Sequence, residues 1–183
     1  KANALVKQGK LEEAIDAYQR SLTGHRTADT LKRLNETEKA LKEAKAAAYL
    51  DPALGEEARE RGNALFKDQK FPEAVKEYTE AIARNPQDHK AYSNRSASYT
   101  KLTAFNEALK DAEKCIELDP TFAKGYTRKG HVQFFTKAYD EAIETYNEGL
   151  KHDPANAELK EGLRKCYEQI NMGATGQLSE DEL

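Results

Sequence analysis

Apolar and small residues return every three or four positions along most of this chain, the spacing that lays one stripe down a helix. In AYSNRSASYTKL (91–102), Tyr92, Ser96 and Tyr99 make such a stripe and are expected to point inward. LEEAIDAY (11–18) and FPEAVKEY (71–78) repeat the pattern. No run of β-branched residues alternates with polar ones, so the chain is expected to be all-α. Asn94 breaks the scheme in an informative way. It stands two residues past Tyr92, about 200° round the helix, on a face with Ala91, Ala97 and Lys101 that matches neither a core nor an ordinary charged surface.

A longer period overlies the helical one. Pro86, Pro120 and Pro154 are spaced by 34 residues, and the same step aligns Gly62, Ser96 and Gly130, then Phe71, Phe105 and Tyr139. It also aligns Ala74, Ala108 and Ala142, then Ala81, Cys115 and Gly149, then Ile82, Ile116 and Leu150. Each period reads as a helix of about 14 residues, a turn near Lys70, Ala104 or Ala138, and a second helix ended by proline, which cannot continue one. Small residues recur where two helices must approach closely. Gln133 departs from the pattern, since Leu65 and Tyr99 precede it in its column.

These columns resemble the tetratricopeptide-repeat family over residues 55 to 154. The resemblance implies an all-α, right-handed superhelical solenoid of antiparallel helix pairs closed by a capping helix. The expected organisation is a three-repeat domain at 55–170, with repeats 55–88, 89–122 and 123–156 and a capping helix at 157–170. That helix carries Leu159, Leu163, Cys166, Tyr167 and Ile170 along one side. Residues 171–183 contain Gly173 and Gly176 and are expected to be a flexible tail. Residues 1–24 read as the end of a preceding, truncated repeat, and 25–52 as a stiff capping or connector helix.

Composition narrows the functional classes. Charged residues make up 33% and hydrophobic ones 38%, enough for thin layers of amphipathic helices but not for one thick core. A net charge of −3 offers no general attraction to nucleic acid or to an anionic membrane. No segment reaches the roughly 18 apolar residues of a membrane-spanning helix. Cys115 and Cys166 lie far apart and read as reduced thiols of a cytoplasmic protein, with Cys115 in a packing column. His25, His89, His131 and His152 are scattered, so no metal site and no cofactor are expected, although His131 borders the Asn94 face. Nucleophile elbow and phosphate-binding loop are both missing, which argues against an enzyme.

The Asn94 face acquires a meaning in its neighbours. Arg59 and Asn63 are four residues apart on the first helix of the first repeat, and Lys124 and Arg128 are four apart on that of the third. All five avoid the packing columns, so they are expected to converge on one groove. Three cations and two amides suit a pair of neighbouring carboxylates, such as those of a peptide ending in aspartate, with each charge-assisted bond contributing about 1.5–3 kcal/mol. The set resembles the carboxylate-clamp subclass of tetratricopeptide domains, which bind the C-terminal EEVD of the seventy- and ninety-kilodalton heat-shock chaperones. By that resemblance Arg59, Asn63 and Asn94 hold the terminal main-chain carboxylate and Lys124 the aspartate side chain. Arg128 addresses an upstream carbonyl or acid, while Ala97 and Lys101 contact the last peptide residues. Arg59 stands where the family usually has lysine, and its fork keeps the charge.

The order of parts, from SLTGHRTADTL through ARERGNALF and YSNRSASYTKL to FAKGYTRKG, is similar to the cochaperones that organise both chaperones. The match runs from the end of their second repeat module through their third. It implies an adaptor for the seventy-kilodalton chaperone, with which the third module is mainly associated, with the ninety-kilodalton one left open as a partner and the preceding module's groove missing here. The alternative reading is a targeting module of an immunophilin or phosphatase whose catalytic domain lies elsewhere.

Overall fold

The structure, a computed structural model, describes the backbone of residues 1–180 and the side chains of residues 1–172. Among the described residues the backbone forms ten α-helices and no strand. They fall into two compact units, Lys1–Leu50 and a second that starts at Asp51.

The first unit contains α1 (Ala2–Lys7), α2 (Leu11–Gly24) and α3 (Ala28–Tyr49). Ala14, Tyr18 and Leu34 form its buried centre, with Ala2, Leu5, Val6, Ile15 and Leu22 packed around them. Thr27 starts α3 by accepting the Thr30 backbone N–H at 3.1 Å, satisfying one of the donors that a helix start leaves unpaired.

The second unit stacks three helix pairs: α4 (Pro52–Lys67) with α5 (Phe71–Arg84), α6 (His89–Lys101) with α7 (Phe105–Leu118), and α8 (Ala123–Phe135) with α9 (Tyr139–His152). A last helix, α10 (Ala157–Glu180), packs on α9 and α8. This is the tetratricopeptide solenoid architecture of antiparallel helix pairs. The first helix begins at Pro52, three residues before the repeat arithmetic puts it, because Asp51 caps it and proline suits a first helical position.

Each turn within a pair has one recipe. Gln69, Thr103 and Lys137 adopt left-handed φ values of 60°, 57° and 63°. Around the first of them, Lys70 N–H reaches Leu65 O at 2.9 Å and Gln69 N–H reaches Phe66 O at 3.0 Å. The other two turns repeat both bonds, which satisfy carbonyls that the helix end leaves free. The second helices end at Arg84, Leu118 and His152, each two residues before its proline.

Size complementarity locks the pairs. A methyl group placed on Gly62 would come within 2.6 Å of the Tyr78 ring, so glycine is what lets that ring approach α4 so closely. Gly130 is fitted to Tyr146 in the same way. One repeat on from Gly62 and Tyr78 the sequence has Ser96 and Ala112, so a larger residue on one helix is matched by a smaller one on the other. Ser96 is fully buried and donates its hydroxyl to Ala108 O at 2.7 Å. The Gln133 anomaly is also resolved, since its side-chain oxygen accepts the Thr145 hydroxyl at 2.7 Å.

Three expectations are corrected. The capping helix does not end at Ile170 but continues to Glu180, so the expected flexible tail is helical over 171–180. Glycine inside a helix costs about 1 kcal/mol relative to alanine but does not forbid one, and no proline interrupts this stretch. The last part of that expectation, residues 181–183, lies outside the described residues. On the same helix Leu159 and Cys166 are fully buried, whereas Tyr167 and Ile170 are 49% and 37% exposed. Finally, Ala91 does not share an open face with Asn94: it is fully buried and clusters with Ala58 and Ala81. As an inner helix, α6 packs against α5, α7 and α8, so more than one stripe of it is covered.

Candidate functional site

The first helices of the three pairs, α4, α6 and α8, present the residues in question. On α4, Asn63 is the junction of a small network. Its Oδ1 accepts the Tyr78 hydroxyl of α5 at 2.9 Å and an Asn94 Nδ2–H of α6 at 2.8 Å. Both lone pairs of that oxygen are thereby used, which turns the Asn63 amide nitrogen toward Glu60 Oε1 at 3.3 Å. The Tyr78 ring is 1% exposed, and burial pushes its phenol up to about 12. Glu60 pushes it in the same direction, while Arg128 and Arg59 pull the opposite way. A single buried hydroxyl therefore feels α4, α6 through Asn94, and α8.

Arg59 lies one helical turn before Asn63 with its side chain 13% exposed. Its Nε is 3.3 Å from Asp88 Oδ2, and its Nη2 is 3.3 Å from Glu56 Oε1 and 4.0 Å from Glu60 Oε1. Asp88 also caps α6, accepting the Lys90 and Ala91 backbone N–H groups through its other oxygen. One carboxylate thus starts α6 and steers the Arg59 fork. Among the described residues neither the Arg59 Nε nor the Arg128 Nε has a hydrogen-bond partner, although both atoms are buried.

Arg128 is the more unusual group. Burial holds its guanidinium below the ordinary arginine value, and Glu158 of α10 is the largest influence opposing that shift. Its charge faces a cavity of about 460 Å³ that Ala97 and Lys101 of α6 also line. Phe66, His131 and Phe134 add an aromatic side to it, and Glu158 and Lys165 a charged rim. Burial and Arg128 depress the His131 imidazole, in that order of weight. Lys124, one turn before Arg128 on α8, is exposed and makes no ion pair or hydrogen bond among the described residues.

The sequence-derived set is therefore brought together in two linked groups. Arg59, Asn63 and Asn94 are joined through Asp88 and Tyr78, and Arg128, Ala97 and Lys101 share the cavity. Lys124 is tied to the others only by sharing α8 with Arg128. Part of the expected open trough is taken up internally: the Arg59 Nε faces Asp88 and the Asn63 oxygen is saturated. Among the described residues the Arg59 Nη2 and the Asn63 Nδ2 meet only the exposed acids Glu56 and Glu60. Chemically this arrangement can take an incoming carboxylate on amide and guanidinium N–H groups, with an apolar side chain lodged beside Arg128.

Four participants were missed in the sequence: Tyr78, Asp88, Glu60 and Glu158. Glu60 was findable, because it stands 34 residues before Asn94 and 68 before Arg128. Cys115 is a packing residue, fully buried, with its thiol pushed up to about 12 by that burial. Among the described residues no three His, Cys, Asp or Glu side chains are grouped as metal ligands, and no helix is long and apolar enough to cross a membrane.

Known proteins resemble this chain in sequence and in fold. Tetratricopeptide-repeat family models match residues 59–123, and residues 1–23 with 123–156. Hsp70-Hsp90 organizing protein 1 of Arabidopsis thaliana is 61% identical over the whole chain, which spans 33% of that relative's length. Among solved structures, the TPR2AB domain of yeast Sti1 in complex with pHSP90 superposes with a TM-score of 0.86 and 42% identity. That match covers 91% of this chain and 67% of the other. The TPR2B domain of yeast Sti1 in complex with pHsp70 is 39% identical with a TM-score of 0.61, covering 64% of this chain and 98% of that one. The chain belongs to the tetratricopeptide-repeat family, and its likeness to an Hsp70-Hsp90 organizing protein runs along its whole length.

Proposed function

We propose that the second unit is the peptide-binding part of a cochaperone adaptor and grips the C-terminal EEVD of the seventy-kilodalton heat-shock chaperone. The ninety-kilodalton chaperone, with the same ending, is its second ligand. Arg59, Asn63 and Asn94 take the terminal main-chain carboxylate, Lys124 the aspartate side chain, and Arg128 an upstream carbonyl or acid, with Ala97 and Lys101 against the last residues. The observation that carries this reading is Arg128 on α8, whose buried Nε lacks a hydrogen-bond partner among the described residues, while Asn94 and Asn63 are paired between α6 and α4. A buried charge short of hydrogen bonds is costly until a ligand supplies them. The pHsp70 and pHSP90 complexes of the yeast Sti1 domains support the choice of partner. Adaptor work needs no catalytic group. The reading carries a cytosolic location with it, supported by two buried, unpaired thiols.

Calorimetry on the whole chain tests it. An EEVD peptide should bind at roughly micromolar strength, about −8 kcal/mol. Amidating its C-terminus, or introducing Arg128→Ala or Lys124→Ala, should weaken binding at least about tenfold, near 1.4 kcal/mol. Unchanged affinity after amidation rejects the assignment. Titrating peptides from the two chaperones side by side ranks the partners.

A further inference from the structure

We propose that Glu60 is an internal stand-in for the ligand's carboxylate, resting on the clamp donors until a peptide terminus displaces it. The proposal rests on the carboxylate-binding reading above and adds a competing group to it.

Register is the first observation. Glu60, Asn94 and Arg128 occupy equivalent positions of three successive repeats, 34 residues apart. Two of the three are candidate ligand contacts; the remaining one is an acid among cations and amides. Contact is the second. Glu60 Oε1 lies 3.3 Å from Asn63 Nδ2 and 4.0 Å from Arg59 Nη2, the two groups on α4 that would receive a carboxylate. The third is the fixed direction of Asn63. Tyr78 and Asn94 both donate to its oxygen, so the amide cannot flip without giving up two hydrogen bonds. Its N–H groups are therefore turned away from Tyr78 and Asn94 and need another acceptor, which Glu60 provides.

Glu60 is built to leave. Its side chain is 64% exposed, unlike Asp88, which is 14% exposed and also caps a helix. Asp88 is thus a permanent partner of Arg59 and Glu60 a temporary one. An exposed ion pair contributes between zero and about 1 kcal/mol, so the competition is expected to weaken ligand binding by no more than about fivefold. An isolated acid would gain little by displacing Glu60, whereas a chain terminus that brings further contacts would.

Calorimetry on the whole chain with a free EEVD peptide, at about 30 mM and about 500 mM salt, tests the idea. Glu60→Gln keeps the shape and removes the charge; it should tighten binding two- to fivefold at low salt, with the gain vanishing at high salt. Glu57→Gln is the control, since Glu57 is exposed on the same helix and makes no bond to Arg59 or Asn63. Its gain should be clearly smaller. Unchanged or weaker binding by Glu60→Gln overturns the stand-in, as does an equal gain from Glu57→Gln, which would mean a general field. If amidation of the peptide leaves wild-type affinity unchanged, the parent reading and the stand-in fall together. If amidation weakens binding while Glu60→Gln does nothing, the stand-in alone is lost.

Discussion

The two units carry the same local device and put it to different use. In the first, Tyr18 donates its hydroxyl to Asn3, with Ala2 packed in the same cluster; in the second, Tyr78 donates to Asn63 and lies over Gly62. Each pair is spaced by 15 residues, and the two pairs are 60 apart. The surroundings differ. Every ion pair among the described residues of Lys1–Leu50 joins side chains at least 47% exposed. The second unit buries Arg95 with Asp111 at 16% and 8% exposure, and Arg59 with Asp88 at 13% and 14%. A tyrosine–asparagine pair is a property of one helix hairpin. Charges held in a poorly solvated place are a property of stacked hairpins, and a carboxylate site needs the latter.

Several measurements can break or sharpen that contrast. The largest effect is expected in alkali. The Cys115 thiol and the Tyr78 phenol rise from ordinary values of 9.0 and 10.0 to about 12 each, mainly through burial. A folded-state value raised in this way means the stabilisation is complete below the unfolded-state value and is lost as pH climbs through the folded one. Urea unfolding should therefore show the second unit weakening steadily from about pH 9 to 12. A flat profile would mean these groups are solvated.

Next comes the buried network. Arg95 donates to both Asp111 oxygens at 2.7 and 2.8 Å and to Thr79 at 3.0 Å, tying α6 to α7 and α5. Asp111→Ala strands that guanidinium and should cost about 3 kcal/mol. Glu77→Ala, one repeat earlier, breaks the more exposed Arg61 pair, at 54% and 30% exposure, and should cost less than about 1 kcal/mol. Equal losses would show that stacking is not what makes the difference. Gly62→Ala should follow at about 2 kcal/mol, because the added methyl meets a Tyr78 ring with nowhere to go. The smallest effects sharpen the comparison most. Tyr78→Phe and Tyr18→Phe should each cost about 1 kcal/mol of stability, but only Tyr78→Phe should also weaken peptide binding, by releasing the Asn63 amide.

Much of the architecture was legible because it is written twice, once in the helical period and once in the 34-residue period. Pro86, Pro120 and Pro154 mark helix ends that the structure places two residues upstream, and the turns at Lys70, Ala104 and Ala138 are closed by backbone bonds that side-chain identity barely affects. The candidate site was legible as a set of residue types at a spacing, not as a network. Nothing local tells that Asp88 steers Arg59, since the two are 29 residues apart and meet only when α6 packs on α4. Gln133 looked like a defect for the same reason, its Thr145 partner being on the other helix of the pair. The misjudged end of α10 has a different origin: glycine propensity is a weak prior, and the sequence between Ile170 and Glu180 has no stop signal strong enough to act alone.

The sequence alone carried the helix pairs of the three repeats, the columns of small residues where helices approach, and which residue types line up across repeats. Those depend on local dihedral preference and on volume, both of which can be read one residue at a time. Only the tertiary structure decided which polar atoms are already spent. Whether the Asn63 oxygen is saturated, the Arg128 Nε left without a partner, or Glu60 laid against two donors depends on distances between helices. Hydrogen bonds and charge act over a few ångströms in space with no regard for separation along the chain.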